Sequence, residues 1–162
     1  MNRFVWDVRH PAGLSAPPGA YQVRLKVGDV TQTQAFNVLI DPRLAADGIT
    51  AADLKEQFDH NMRMRELAAD ATQLLTRVRS GMSGAAGDKA PKLRAIYEQI
   101  VNTPEGVRYN KPGLQSHIQY LAGMTMGVDQ KIGRDAIERY QDLKKQFDAL
   151  KTAADQLLRS GF

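Results

Sequence analysis

Ala136–Leu157 reads AIERYQDLKKQFDALKTAADQL, and this stretch decides the fold. Ala136, Tyr140, Leu143, Phe147, Leu150, Ala154 and Leu157 follow one another at alternating steps of four and three. A strand would repeat every two residues. This alternation averages three and a half, the period of a helix that lays one apolar seam along a partner. Glu138, Asp142, Lys144, Lys145, Asp148 and Lys151 occupy the other faces, where water solvates them. Ser160-Gly161 is a natural helix stop.

A matching rod lies upstream. Thr50-Ala51-Ala52-Asp53 has the form of an N-cap with an acid three residues on, and Asp53 suits the positive end of a helix dipole. Leu54, Phe58 and Met62 follow at four-residue steps, then Met64, Leu67, Ala71, Leu74 and Val78 at threes and fours. The spacing predicts a helix from about residue 50 to about Ser80, broken by Gly81, Gly84 and Gly87. Two shorter helices are predicted between the long ones. One spans about Pro91 to Val101 with Leu93, Ile96 and Ile100 buried. The other spans about Leu114 to Met126 with Leu114, Ile118, Leu121 and Thr125 buried. Residues 44–162 therefore read as an antiparallel helical bundle of three to four helices. A lone seam can also make a homodimer. The first long helix offers a partner within the chain, which favours intramolecular pairing.

Residues 1–43 have the other period. Phe4, Trp6 and Val8 alternate with Val5, Asp7 and Arg9, and Pro11 and Gly13 end the run. After Pro17-Pro18-Gly19, the residues Tyr21, Val23, Leu25 and Val27 share one face, with Gln22, Arg24 and Lys26 on the other. Gly28-Asp29 fits a two-residue hairpin turn with glycine first. Val30 to Ile40 returns, with Phe36, Val38 and Ile40 on one side, and Asp41-Pro42 stops it. About three antiparallel strands are expected, giving an α+β chain. Trp6, Tyr21 and Phe36 are a large apolar load for so small a sheet. Either the helices cover it, or further strands complete an immunoglobulin-like sandwich of which this is a part.

Composition narrows the function classes. The chain is 43% hydrophobic and 25% charged, which is ordinary for a globular domain. It carries 22 basic and 18 acidic residues, a net charge of +4, with the signs interspersed. No basic stripe interleaved with aromatics marks a nucleic-acid interface. The absence of cysteine removes thiol catalysis, disulfides and cysteine-based zinc sites. No apolar run approaches the ~18 residues of a membrane span, and the N-terminus lacks the apolar core of a signal peptide. The chain is therefore either cytosolic or the later part of a protein whose export signal lies upstream, and the strand-rich start favours the second.

No catalytic apparatus stands out. His10, His60 and His117 form no helical metal pair, and surface or capping roles are expected for them. Acid pairs such as Asp53/Glu56 and Asp129/Asp135 read as solvated faces rather than a glycosidase pair. Gly81–Lys89 is glycine-rich without the phosphate-loop spacing. The serines lack a nucleophile-elbow context, and the methionines read as core fillers. No catalytic, cofactor-binding or metal-binding residue is assigned, and no cofactor is expected. Arg108, Tyr109, Asn110 and Lys111 form a loop suited either to contacting a partner or to anchoring itself on the bundle.

Three segments carry a family resemblance: Asn2-Arg3-Phe4-Val5-Trp6-Asp7-Val8-Arg9, Pro17-Pro18-Gly19-Ala20-Tyr21-Gln22-Val23-Arg24-Leu25 and Asp41-Pro42-Arg43. They resemble the C-terminal region of large bacterial exported proteins with sortilin-like (Vps10-type, BNR/Asp-box) β-propellers, commonly labelled glycosyl hydrolases. The Ala51-Asp53-Leu54-Gln57-Phe58 start of the first long helix, Leu121-Ala122-Gly123 and the Tyr140/Leu143 helix are similar in kind. The resemblance implies an immunoglobulin-like module closed by these strands, a helical tail, and an upstream propeller as partner. It carries no propeller catalytic residue onto any position here. The expected role is a non-catalytic structural or interaction module of an exported protein, with the missing strands or a second copy as partner. The alternatives are a carbohydrate-processing hydrolase using loop residues such as Tyr109 and His117, or a carbohydrate-binding module.

Overall fold

The computed structural model describes residues 3–85, 87–101 and 111–159. Two strands, β1 (Gly19–Val27) and β2 (Val30–Val38), are followed by α1 (Pro42–Ala46), α2 (Ala51–Ser83), α3 (Lys89–Ile100), α4 (Leu114–Met126) and α5 (Arg134–Arg159). The chain is α+β, as its two periods require. It divides into two compact units, Met1–Met62 with Met126–Ile132, and Arg63–Thr125 with Gly133–Phe162. The sequence pattern changes near residue 43, whereas the division between units falls inside α2.

In the first unit, β1 and β2 pair antiparallel with Val27 opposite Val30 and Tyr21 opposite Phe36. Gly28 holds φ +57° in the two-residue turn, a conformation that suits glycine at the first turn position. The expected first strand is not one. Among the described residues the sheet has two strands, not three. Period-two patterning gives a segment its faces, but a strand also needs a ladder partner. Residues 8–16 instead fold on themselves: Arg9 bridges Ser15, the Ala16 amide donates to the Val8 carbonyl at 2.9 Å, and Val8 takes φ +58°. Left-handed backbone at a β-branched residue ends any extended run there.

The start of α2 follows the expected cap. The Thr50 hydroxyl oxygen accepts from the Asp53 amide at 3.1 Å, and the Asp53 carboxylate accepts from the Thr50 amide at 2.9 Å. These reciprocal bonds satisfy two amides that the helix leaves open. Beyond them the buried stripe departs from the expected Phe58 and Met62, which are half-buried. Gln57, His60 and Asn61 are buried instead. Gln57 Nε2 donates to the Val128 carbonyl at 2.6 Å, and its Oε1 accepts from the Gln130 amide at 3.0 Å, so one side chain fixes the connection after α4. Helix α1 was not expected. Asp41 accepts from the Arg43 amide at 2.9 Å and Pro42 occupies the first turn, so the pair that ends the strand also begins a helix.

In the second unit the α2 seam lies where the spacing puts it, and the α5 seam is buried at its centre, with Ala136, Tyr140, Leu150 and Leu157 half-buried. Met64, Leu67, Ala71, Leu74 and Val78 of α2 are buried, as are Leu143, Phe147 and Ala154 of α5. The predicted buried sets of α3 and α4 match residue for residue. The two long helices, however, run in the same direction. The Arg63 guanidinium lies over the Tyr140 ring at 5.6 Å, Arg77 pairs with Asp155, and Gly81 abuts Leu158, so the positions climb together. Gln115, at the start of α4, reaches Thr72 at 3.5 Å, and the chain is back level with Arg63 when α5 begins. Helices α3 and α4 therefore make one return leg between two parallel rods, rather than two separate legs of an antiparallel bundle. Gly81 lies inside α2 rather than ending it. A Cβ there would overlap the Leu158 side chain, so close approach explains the glycine.

Candidate functional site

The most conspicuous surface of the first unit is one face of the hairpin. The register places Tyr21, Val23, Leu25 and Val27 of β1 on the same side as Val30, Gln32, Gln34 and Phe36 of β2, so the apolar strip runs along β1 and is flanked by two glutamines of β2. Val23, Leu25, Val27 and Val30 are 50%, 60%, 67% and 64% exposed, and Phe36 is 37% exposed. A single apolar residue in water is unremarkable, but four neighbours on one sheet face form a contact surface. Trp6 covers only the end of this strip. Its ring lies 5.4 Å from Tyr21 and 5.9 Å from Phe36, and its indole N–H donates to the Arg9 carbonyl at 2.8 Å. Tyr21 and Phe36 stack at 5.9 Å. The three aromatics thus pack against one another.

Tyr21 also locks the approach to β1. Its hydroxyl donates to the Pro17 carbonyl at 2.7 Å, four residues back. Tyr21→Phe should lower stability by about 1 kcal/mol, the net worth of one such bond, with the ring contacts kept. A urea melt followed by the emission of Trp6, the only tryptophan, measures this. No loss would mean that the hydroxyl is bonded to water instead.

The other residues singled out in the sequence are dispersed. Arg108, Tyr109 and Asn110 lie outside the described residues. Lys111 lines an open cleft of about 820 Å³ in the second unit, with Gln99, His117 and Gln146. Among the described residues the one carboxylate on that cleft is Glu98, which takes an ion pair from Arg94 at 3.0 Å. Two facing carboxylates, as a glycosidase of the usual kind needs, are not brought together there among the described residues. His10 accepts from the Ala12 amide through Nδ1 at 3.1 Å and meets Phe58 edge-on at 5.3 Å, a turn-capping role. His60, for which a surface or capping role was expected, is wholly buried. Among the described residues no group of three metal-ligating side chains converges, and no helix is long and apolar enough to cross a membrane.

Sequence reasoning missed Gln57, His60 and Asn61, although a signal was present. Carried back one heptad, the seam positions Met64 and Leu67 land on Gln57 and His60. Polarity hid a pattern that position alone would have given.

Among the described residues three carboxyls are held below their usual range. Asp155 is lowered by the Arg77 guanidinium, and Asp53 first by the Thr50 hydroxyl. Asp41 is lowered furthest, from 3.8 to about 2, first by the Arg43 side chain and then by the Arg43 amide. A carboxyl depressed by folding stabilises the fold above its ordinary value, and that contribution disappears as pH falls through the depressed one. An NMR titration should find the Asp41 midpoint at about 2, and Arg43→Ala should return it toward 3.8. A midpoint that stays put in the variant would remove Arg43 as the cause.

No protein-family description matches this chain, and neither a curated protein nor a solved structure does.

Proposed function

We propose that this chain is a non-catalytic structural and protein-interaction module, whose hairpin is completed by a second β layer belonging to a larger exported β-propeller protein. One observation carries the reading: Val23, Leu25, Val27 and Val30 form an exposed apolar strip on a sheet that has two strands among the described residues. Such a hairpin is marginal in water by itself and gains stability when its apolar face is covered. The resemblance of the strand segments to the end of an immunoglobulin-like module supports the choice of a β layer.

A hydrophobic dye, 8-anilino-1-naphthalenesulfonate, tests the surface directly. The chain should enhance its fluorescence, and the double variant Val23→Lys/Leu25→Lys should lose most of that enhancement with Trp6 emission unchanged. Equal signals from both proteins would overturn the reading.

A further inference from the structure

We infer that β1 and β2 are the last two strands of a Greek-key sandwich, and that the partner strand enters along the outer edge of β1, not of β2, bringing acidic side chains beside Arg24 and Lys26. This deepens the interaction-module reading and rests on it.

The first support is the corner before β1. A tyrosine near the start of a strand, whose hydroxyl bonds back to the main chain a few residues upstream, marks the penultimate strand of an immunoglobulin-like sandwich. Tyr21 has this form: it is the third residue of β1, and its hydroxyl donates to the Pro17 carbonyl at 2.7 Å. The segment before such a corner belongs to the opposite layer. Trp6 behaves accordingly, packing across the faces of Tyr21 and Phe36 instead of joining their ladder.

That position fixes which edge is incomplete. In a sandwich of this kind the penultimate strand lies inside its sheet, with the last strand on one side and an earlier strand on the other. Among the described residues β1 has β2 on one side only. In a ladder closed by a two-residue turn, Val27 and Val30 exchange hydrogen bonds, and bonding pairs then alternate. The amides of Gln22, Arg24 and Lys26 on β1 therefore point to its outer edge, and those of Thr31, Thr33 and Ala35 to the outer edge of β2.

The second support is charge. On the face opposite the apolar strip, β1 presents Arg24 and Lys26, and neither strand contains an acidic residue. An incoming strand that pairs with this edge gains by placing carboxylates next to those cations. Its alternate side chains must be apolar, because they extend the interface that Trp6 already begins over Tyr21 and Phe36. The occupant is thus an antiparallel strand alternating apolar and acidic residues.

A synthetic nine-residue peptide alternating valine and glutamate is the probe, titrated into the ¹⁵N-labelled chain. A version with lysine for glutamate is the control. The amides of Gln22, Arg24 and Lys26 should shift most. The lysine peptide should bind about tenfold more weakly, since two favourable cross-strand charge pairs become unfavourable. Shifts centred on Thr31, Thr33 and Ala35, equal binding of both peptides, or no binding would each overturn the edge assignment. So would a dimer of the chain that excludes the peptide, because the occupant would then be a second copy. The mapping uses the unaltered protein, so no misfolded variant can obscure it. If the dye marks the apolar strip while the peptide fails, only the edge assignment falls; if the dye also fails, both do.

Discussion

Leu143→Asp is expected to cost about 5 kcal/mol and to lower the melting temperature by roughly 10–20 °C. Leu143 is wholly buried at the middle of the α5 seam. Removing its isobutyl group forfeits apolar burial, and the carboxylate that replaces it must stay charged in apolar surroundings or take up a proton. Acidic pH should therefore soften the damage, since a protonated carboxyl costs less to bury. Lys145→Asp, two residues along on an exposed face, is the control and should change stability by no more than about 0.5 kcal/mol. Thermal melts followed by circular dichroism read both. A Leu143→Asp protein that melted with the control would show that the seam faces solvent.

The helices were legible because burial follows a period that the chain writes plainly. Leu93, Ile96 and Ile100 could be placed from spacing alone, as could Leu114, Ile118, Leu121 and Thr125. The hairpin register was legible for the same reason, with Gly28 fixing the turn. Direction was not. A heptad seam marks which face meets a partner, and parallel and antiparallel partners present similar seams. What decided direction was the close approach of Gly113 to the Ile100 and Val101 carbonyls, which sets the start of α4 on the end of α3 and lets two helices serve as one leg. The segment Phe4–Val8 was misread because alternation reports faces and says nothing about a ladder neighbour. The buried trio in α2 was missed because polarity was weighed above position. Gln57 is buried because both ends of its amide are bonded to the backbone after α4, a partnership that no local pattern encodes. The candidate surface was half legible: its residues could be named from β1 and β2, but not that they would stand uncovered in the chain.

Glycines separate these cases most sharply, and Gly113 gives the second large effect. It sits just before α4, where its carbonyl accepts from the His117 amide at 3.2 Å and so closes the first turn. A Cβ added there would overlap the carbonyl oxygens of Ile100 and Val101, where α3 ends. A crowded side chain can rotate away, but these are main-chain atoms held by the helix end. Relief requires the two helices to separate. Gly113→Ala should accordingly cost roughly 3 kcal/mol and about 6–12 °C in melting temperature. Gly123 is the opposite case, lying inside α4 with nothing within 4 Å of an added Cβ. Gly123→Ala should gain about 0.5–1 kcal/mol from helix propensity alone. The same residue change is thus expected to act in opposite directions ten positions apart, and paired melts of the two variants measure both. If Gly113→Ala melted at or above the wild-type temperature, the end of α3 and the start of α4 would not approach at this point, and the two could not form a single return leg between the parallel rods.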